Sequence, residues 1–346
     1  MSTPSRPSLV RHWLALAEEL VGRAAPRLDA LNLFPVPDAD TGTNMLATLT
    51  AARTAADACP AQDDAGAVLA HAGAAALDSA RGNSGMLLAV SLAGMAEPLR
   101  GRERVDAFAL AAAFGAADRA ARQALSDPRE GTILTVLSAA ARSLARSSTQ
   151  APDTPAVAGD ADPAVRLGPA VVLMLADCVQ AVEETESLLA PLTRAHVVDA
   201  GAVGLLWVFE ALRSVVTGTP VDEELATALH GYVEGAHAAE AEPAAAAEAP
   251  TEGAVEVMGT LALTPLAAAE LRRRLTDVGD AVILAPVGTA RDAQGRVPWR
   301  VHVHVPRAED AIGPLRAAGD VEGLAVTDLA EPSHGDDAAP DGCHGR

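Results

Sequence analysis

Two aspartates one residue apart, Asp38 and Asp40, stand in the stretch NLFPVPDADTGTNM at residues 32–45. Pro35 and Pro37 fix their own φ angles and bias Phe34 and Val36 towards extended conformations. On an extended segment the two aspartates project to the same side. Two hard carboxylates beside a helix start suit Mg²⁺, which takes few protein ligands and fills its octahedron with water and phosphate oxygens. The same residues also make an acidic turn with Asx hydrogen bonds, and spacing by itself leaves both readings open. An EF-hand is excluded, because glycine falls at loop position 5 rather than 6 and Leu49 stands where the bidentate Glu belongs.

Three more corners share this format: ARGNSGM at 80–86, REGTILTV at 129–136 and HVVDAGAVGLL at 196–206. In ARGNSGM, Gly82 and Gly85 allow close backbone approach and Ser84 can cap the helix it opens. Free N–H groups at such a start form an anion site. GxSxG would need glycine where Met86 stands, so this is not a nucleophile elbow. Each corner alone is a capping or turn signal. Together, four helix mouths suggest a cradle for polyphosphate.

The composition narrows the chemistry. The chain has 346 residues, enough for two domains, and no lysine, so a Walker-type phosphate lysine and a Schiff base are excluded. A net charge of −20 argues against nucleic acid and against an anionic membrane surface. Cys59, Cys178 and Cys343 form no CxxC pair, as expected of reduced thiols in a cytoplasmic protein. No apolar run reaches the ~20 residues of a membrane span.

The elements that must position these corners are mostly helices. Helical periodicity runs from Ser8, with further helices expected near 43–58, 64–80, 84–97, 105–125, 132–146, 164–186, 201–216 and 222–232. Residues 147–163 read as a disordered loop and 236–253 as an Ala/Glu/Pro linker. From 254 to 330 the period changes to the order βαββαβ, that of a ferredoxin-like sandwich. The tail, 331–346, reads as unstructured. The expected class is multidomain: an all-α domain at 8–235 followed by a small α+β domain.

The four motifs, in this order and at these distances, resemble the nucleotide-binding L domain (DhaL) of the dihydroxyacetone kinase superfamily, most nearly the branch of the fatty acid kinase catalytic subunit. The resemblance implies an eight-helix barrel with Mg-ATP at one end. It implies that Asp38 and Asp40 are Mg²⁺ ligands and the catalytic pair, and that Asn32, where relatives have a third carboxylate, is a further Mg²⁺ ligand. It places Thr41, Gly42, Thr43 and Asn44 at the phosphates, and Asn83, Ser84, Gly85, Thr132, Asp199 and Gly201 near the nucleotide. Ala39 stands where the family usually has glycine; at positive φ it would cost about 1 kcal/mol.

The function implied is transfer of the ATP γ-phosphoryl group to an acyl carboxylate presented by a carrier protein. A carboxylate with a pKa of about 4 is already ionised at pH 7 and needs no general base. A non-catalytic Mg-nucleotide regulator or scaffold is the alternative, and a dihydroxyacetone-type kinase subunit a further one. The second domain resembles the middle domain of the same branch, where two strand histidines and a cysteine form a zinc site. Here His302 and His304 remain, but Met258 occupies the cysteine position, so surface or packing histidines are expected instead. The resemblance leads to the expectation that the family's C-terminal partner-docking domain is lacking, and a homodimer is expected from the resemblance alone.

Overall fold

A computed structural model describes residues 6–60, 63–102, 104–149, 167–232 and 253–329. The first part is helical: α1 (Arg6–Leu31), α2 (Thr41–Ala58), α3 (Ala65–Ser79), α4 (Gly82–Gly94), α5 (Ala96–Leu99), α6 (Ala107–Ala124), α7 (Ile133–Thr149), α8 (Leu167–Leu188), α9 (Ala190–Ala195) and α10 (Ala200–Thr217). Among the described residues, eight of these close a ring: α1 packs on α2, then α3, α4, α6, α7, α8 and α10, and α10 returns to α1. The short α5 and α9 sit at its corners. The eight-helix expectation is met.

Small residues make this ring possible. A Cβ on Gly42 would lie 2.4 Å from the Ala25 carbonyl oxygen, so α1 and α2 touch backbone to backbone. Leu14, Leu28, Leu49, Leu69, Leu77, Leu88 and Phe114 fill the space that alanines leave. Helix α10 is long and apolar enough to cross a membrane by length and composition, but 72% of it is buried inside the ring.

The second part carries β1 (Val255–Leu263), α11 (Pro265–Thr276), β2 (Asp280–Pro286), β3 (Val297–Val305), α12 (Ala308–Ala318) and β4 (Val321–Asp328). The strands form one antiparallel sheet in the order β2-β3-β1-β4, the ferredoxin-like arrangement expected from the sequence. Val257, Leu261, Leu284, Val301 and Val303 point to the α11/α12 side and form that layer's core. By strand alternation the opposite face carries Glu256, Met258, Ile283, Ala285, His302 and His304. Met258, Ile283 and Ala285 merge into the core of the helical ring. The two parts also share main-chain bonds: Ser126 N–H donates to the Val282 carbonyl at 3.0 Å, and Leu125 pairs with Ile283.

Three expectations shift. Residues 222–232 are not a helix but a run of turns, closed by i,i+3 bonds such as Leu225 N–H to Asp222 O and Leu229 N–H to Ala226 O. Glu210 takes the Asp222 N–H at 2.7 Å, which anchors the segment against α10 and breaks its start. Helix α9 was not anticipated. Helix α7 runs on to Thr149; the rest of the 147–163 loop, the linker as far as residue 252 and the 331–346 tail lie outside the described residues.

Candidate metal and nucleotide site

The segment carrying the two aspartates is not extended as expected: the Phe34–Pro35 peptide is cis and Ala39, between them, is left-handed. Asp38 and Asp40 nonetheless both line one crevice. Asn32, Phe34, Val36, Thr41, Asn44, Gly82, Asn83 and Ser84 line its helical side, and Glu256, His304, Thr327 and Asp328 line the sheet side. Phe34, Pro35, Val36 and Asn83 are shared with an adjoining cleft of about 670 Å³, which reaches Thr132, Ile133, Asp199 and Asp280. That volume falls within the ~300–1,000 Å³ of small-molecule sites.

Asp38 and Asp40 are hydrogen-bonded to each other, and the electrostatic load of the pair falls on Asp38. Burial, then the charge of Asp40, pushes the Asp38 carboxyl up to about 7. The Asp40 carboxyl is also raised, chiefly by burial, with Glu256 and Asp29 adding to it. No arginine lines the crevice among the described residues. Asn83 Oδ1 is buried there without a hydrogen-bond partner. Crowded carboxylates, an orphaned amide oxygen and no internal cation form a donor set that fits Mg²⁺. Asn32 donates its amide nitrogen to Asp38 Oδ1 at 2.5 Å, so it stands in the cluster as an orienting donor. Ala39 has φ 56°, the left-handed conformation the sequence reading had made conditional.

The remaining candidates divide. Thr41, Asn44, Asn83 and Ser84 line the crevice; Thr132 and Asp199 line the cleft. Gly42 and Thr43 do neither. Their N–H groups donate to Asp29 Oδ1 at 2.6 and 3.0 Å, and Thr43 Oγ1 donates to Asp29 Oδ2 at 2.7 Å. Asp29 thus caps α2 from α1, and Gly42 serves the tight α1–α2 contact. Gly85 is a packing position too, since a Cβ there would meet Thr48 Oγ1 at 2.8 Å. Gly201 brings the α10 start against Ser84, whose Oγ would lie 3.0 Å from an added Cβ. Asp199 caps its own helix through the Ala202 N–H at 2.7 Å, and full burial pushes its carboxyl up to about 7 despite the amides around it. Gly82 has φ 58° and sits so near Asn44 Nδ2 that a Cβ would approach to 2.5 Å.

Two functional candidates escaped the sequence reading. Asp29 is one. Glu256 is the other: its Oε1 accepts the Gly82 N–H at 3.0 Å and lies 3.0 Å from His302 Nδ1. The histidines are not surface residues; His302 is wholly buried, His304 nearly so, and their rings stand 4.8 Å apart. Burial opposes ionisation of Glu256, yet His302, His304 and the Gly82 N–H hold its carboxyl down to about 2. Burial, then His302, drives the His304 imidazole down to about 3, so it is neutral at pH 7.

The DAK2 domain family matches residues 35–214, and the chain belongs to that family. Protein YloV of Bacillus subtilis (strain 168) is 32% identical over 211 residues, covering 61% of this chain and 35% of that protein. An uncharacterized protein, SH1689, of Staphylococcus haemolyticus is 32% identical over 198 residues, covering 57% and 33%. The chain therefore spans about a third of the length of the curated relatives it matches. Among solved structures, dihydroxyacetone kinase from C. freundii in complex with AMP-PNP and Mg²⁺ is similar over 62% of this chain and 35% of that one, at 18% identity and TM-score 0.44.

Proposed function

We propose that this chain is an ATP-dependent phosphotransferase of fatty acid kinase type, which transfers the γ-phosphoryl group to an acyl carboxylate held by a carrier protein. The observation that carries the reading is the convergence of Asp38 and Asp40, with no arginine beside them among the described residues, and of the α4 mouth with its unpaired Asn83 oxygen, in one crevice. Bound Mg²⁺ would neutralise charge on the phosphate oxygens there. Asp38 and Asp40 would hold it, with Asn32 fixing the Asp38 rotamer. Thr41, Asn44 and Ser84 offer donors to phosphate oxygens, and the cleft towards Thr132 and Asp199 has room for the nucleoside. No side chain is required as a base, because a carboxylate acceptor arrives ionised. Positioning and charge neutralisation then supply the rate. The chain is cytoplasmic in this reading, and the acyl carrier its chief partner.

A Mg-nucleotide regulator without turnover is the second reading. It is favoured by the Gly42 and Thr43 N–H groups, which Asp29 already occupies and which are thereby withdrawn from phosphate. One assay separates the two. Wild type and Asp38→Ala are incubated with Mg-ATP and a fatty-acid-loaded carrier, and acyl phosphate is trapped with hydroxylamine. Hydroxamate formed by wild type and lost in the variant supports the kinase. Mg-dependent ATP binding with no product from any acyl acceptor supports the regulator.

A further inference from the structure

A separate cavity of about 420 Å³ opens between the ring and the edge of the sheet, and it shares no lining residue with the crevice or its cleft. Its walls are mostly carbon: Leu77, Val90 and Ala93 come from the ring, and Leu284, Pro286 and Trp299 from the sheet. Trp299 Nε1 already donates to the Leu263 carbonyl at 3.2 Å, so the indole brings no spare polar atom. One charge stands among these residues. Arg272 of α11 reaches the edge strand β2 and donates through Nη2 to the Leu284 carbonyl at 3.1 Å, while its Nε is buried without a partner. No acid lines the cavity among the described residues. Burial alone acts on the guanidinium, lowering its pKa, and no carboxylate is close enough to raise it. In a chain with 46 acidic residues against 26 basic ones, a half-buried arginine without an acid beside it is an unbalanced charge.

We propose that this cavity binds an apolar monocarboxylate, with the carboxylate on the Arg272 guanidinium and the carbon body between the Val90 and Trp299 walls. A guanidinium fork matches a carboxylate in shape and in charge. One guanidinium balances one negative charge, whereas a phosphate dianion would bury its second charge unmatched. Gly82 at the crevice and Gly94 at this cavity are the two ends of α4, about 18 Å apart at 1.5 Å per residue. That separation is too great for direct phosphoryl transfer. The acid held here is therefore not the acceptor proposed above, and its binding requires neither ATP nor Mg²⁺. Because the walls come from both parts of the chain, the occupant bridges ring and sheet.

Calorimetric titration of the full chain with octanoate, 1-octanol and octylamine tests it. Octanoate should bind wild type at one equivalent and on the order of 10-fold more tightly than 1-octanol, with octylamine the weakest. Arg272→Met should abolish the preference for octanoate and leave the affinity for 1-octanol unchanged. Arg272→Lys, which keeps the charge, should retain a preference for the acid. Ala120→Leu narrows the cavity from α6 and should weaken both ligands. Wild type binding octanoate no better than 1-octanol overturns the proposal, as does an Arg272→Met variant that keeps the preference. Ala120→Leu binding octanoate like wild type overturns it too, because the acid would then sit elsewhere. Should Ala120→Leu fail to fold by circular dichroism, the two Arg272 variants decide.

Discussion

The mouths of α2 and α4 face the same crevice and were built from the same sequence format, yet they are finished differently. At α2 the Gly42 and Thr43 N–H groups are closed off by Asp29 from the preceding helix. At α4 the Gly82 N–H reaches across to Glu256 of the sheet, and Asn83 keeps an unpaired oxygen beside it. One mouth is sealed within the ring; the other is held open by the second part of the chain. A helix start rich in Gly, Ser and Thr is therefore no anion site until its N–H groups are accounted for.

The difference sets four predictions, the largest first. Asp38→Ala removes half of the carboxylate pair at the open side, and ATP turnover should fall on the order of 100-fold or more, measured by acyl hydroxamate formation with saturating carrier. Asp29→Ala strips three hydrogen bonds from the sealed mouth and should cost about 2 kcal/mol in urea unfolding, while leaving Mg²⁺ affinity by titration calorimetry unchanged. A large loss of Mg²⁺ affinity in that variant would show that the seal is part of the site.

Asp64→Ala, at the remote α3 cap, should cost about 1 kcal/mol through the Ala67 and Gly101 N–H groups it abandons. Burial works against ionisation of Asp64, but those amides hold its carboxyl below the ordinary value. The folded form thus binds its proton less readily than the unfolded chain. The cap's contribution is present above the unfolded pKa of about 3.9 and is lost as pH falls through the lower folded value. The gap between wild type and variant should accordingly close in acid unfolding curves below about pH 4. The smallest effect is Ala39→Gly: relief of the left-handed alanine should raise stability by about 0.5 kcal/mol, since glycine's added chain entropy offsets part of the gain. A destabilised variant would mean that the Ala39 methyl makes contacts worth more than its strain.

Much of this was legible in the residues. Asp38 and Asp40 announced themselves by type and spacing, and the change of period after 254 marked the sheet and the βαββαβ order of its elements. What could not be read was any partner set by distance in space. Cap rules look three residues ahead, whereas Asp29 reaches amides in the next helix, beyond a proline-rich turn. Glu256 looked like a lone acid in an apolar strand. Only the antiparallel register places it opposite His304. The failed helix at 222–232 has helical spacing of apolar residues, but the Glu210 carboxylate competes for its first amide, and local periodicity carries no trace of that.

The rung between Ser126 and Val282 joins segments far apart along the chain. Its amide can trade hydrogen for deuterium only when the sheet swings away from the ring or the surrounding structure melts. Beside amides deep in α10, which respond to melting alone, it offers an isotopic clock for how often the crevice gapes, readable without any ligand or assay of turnover.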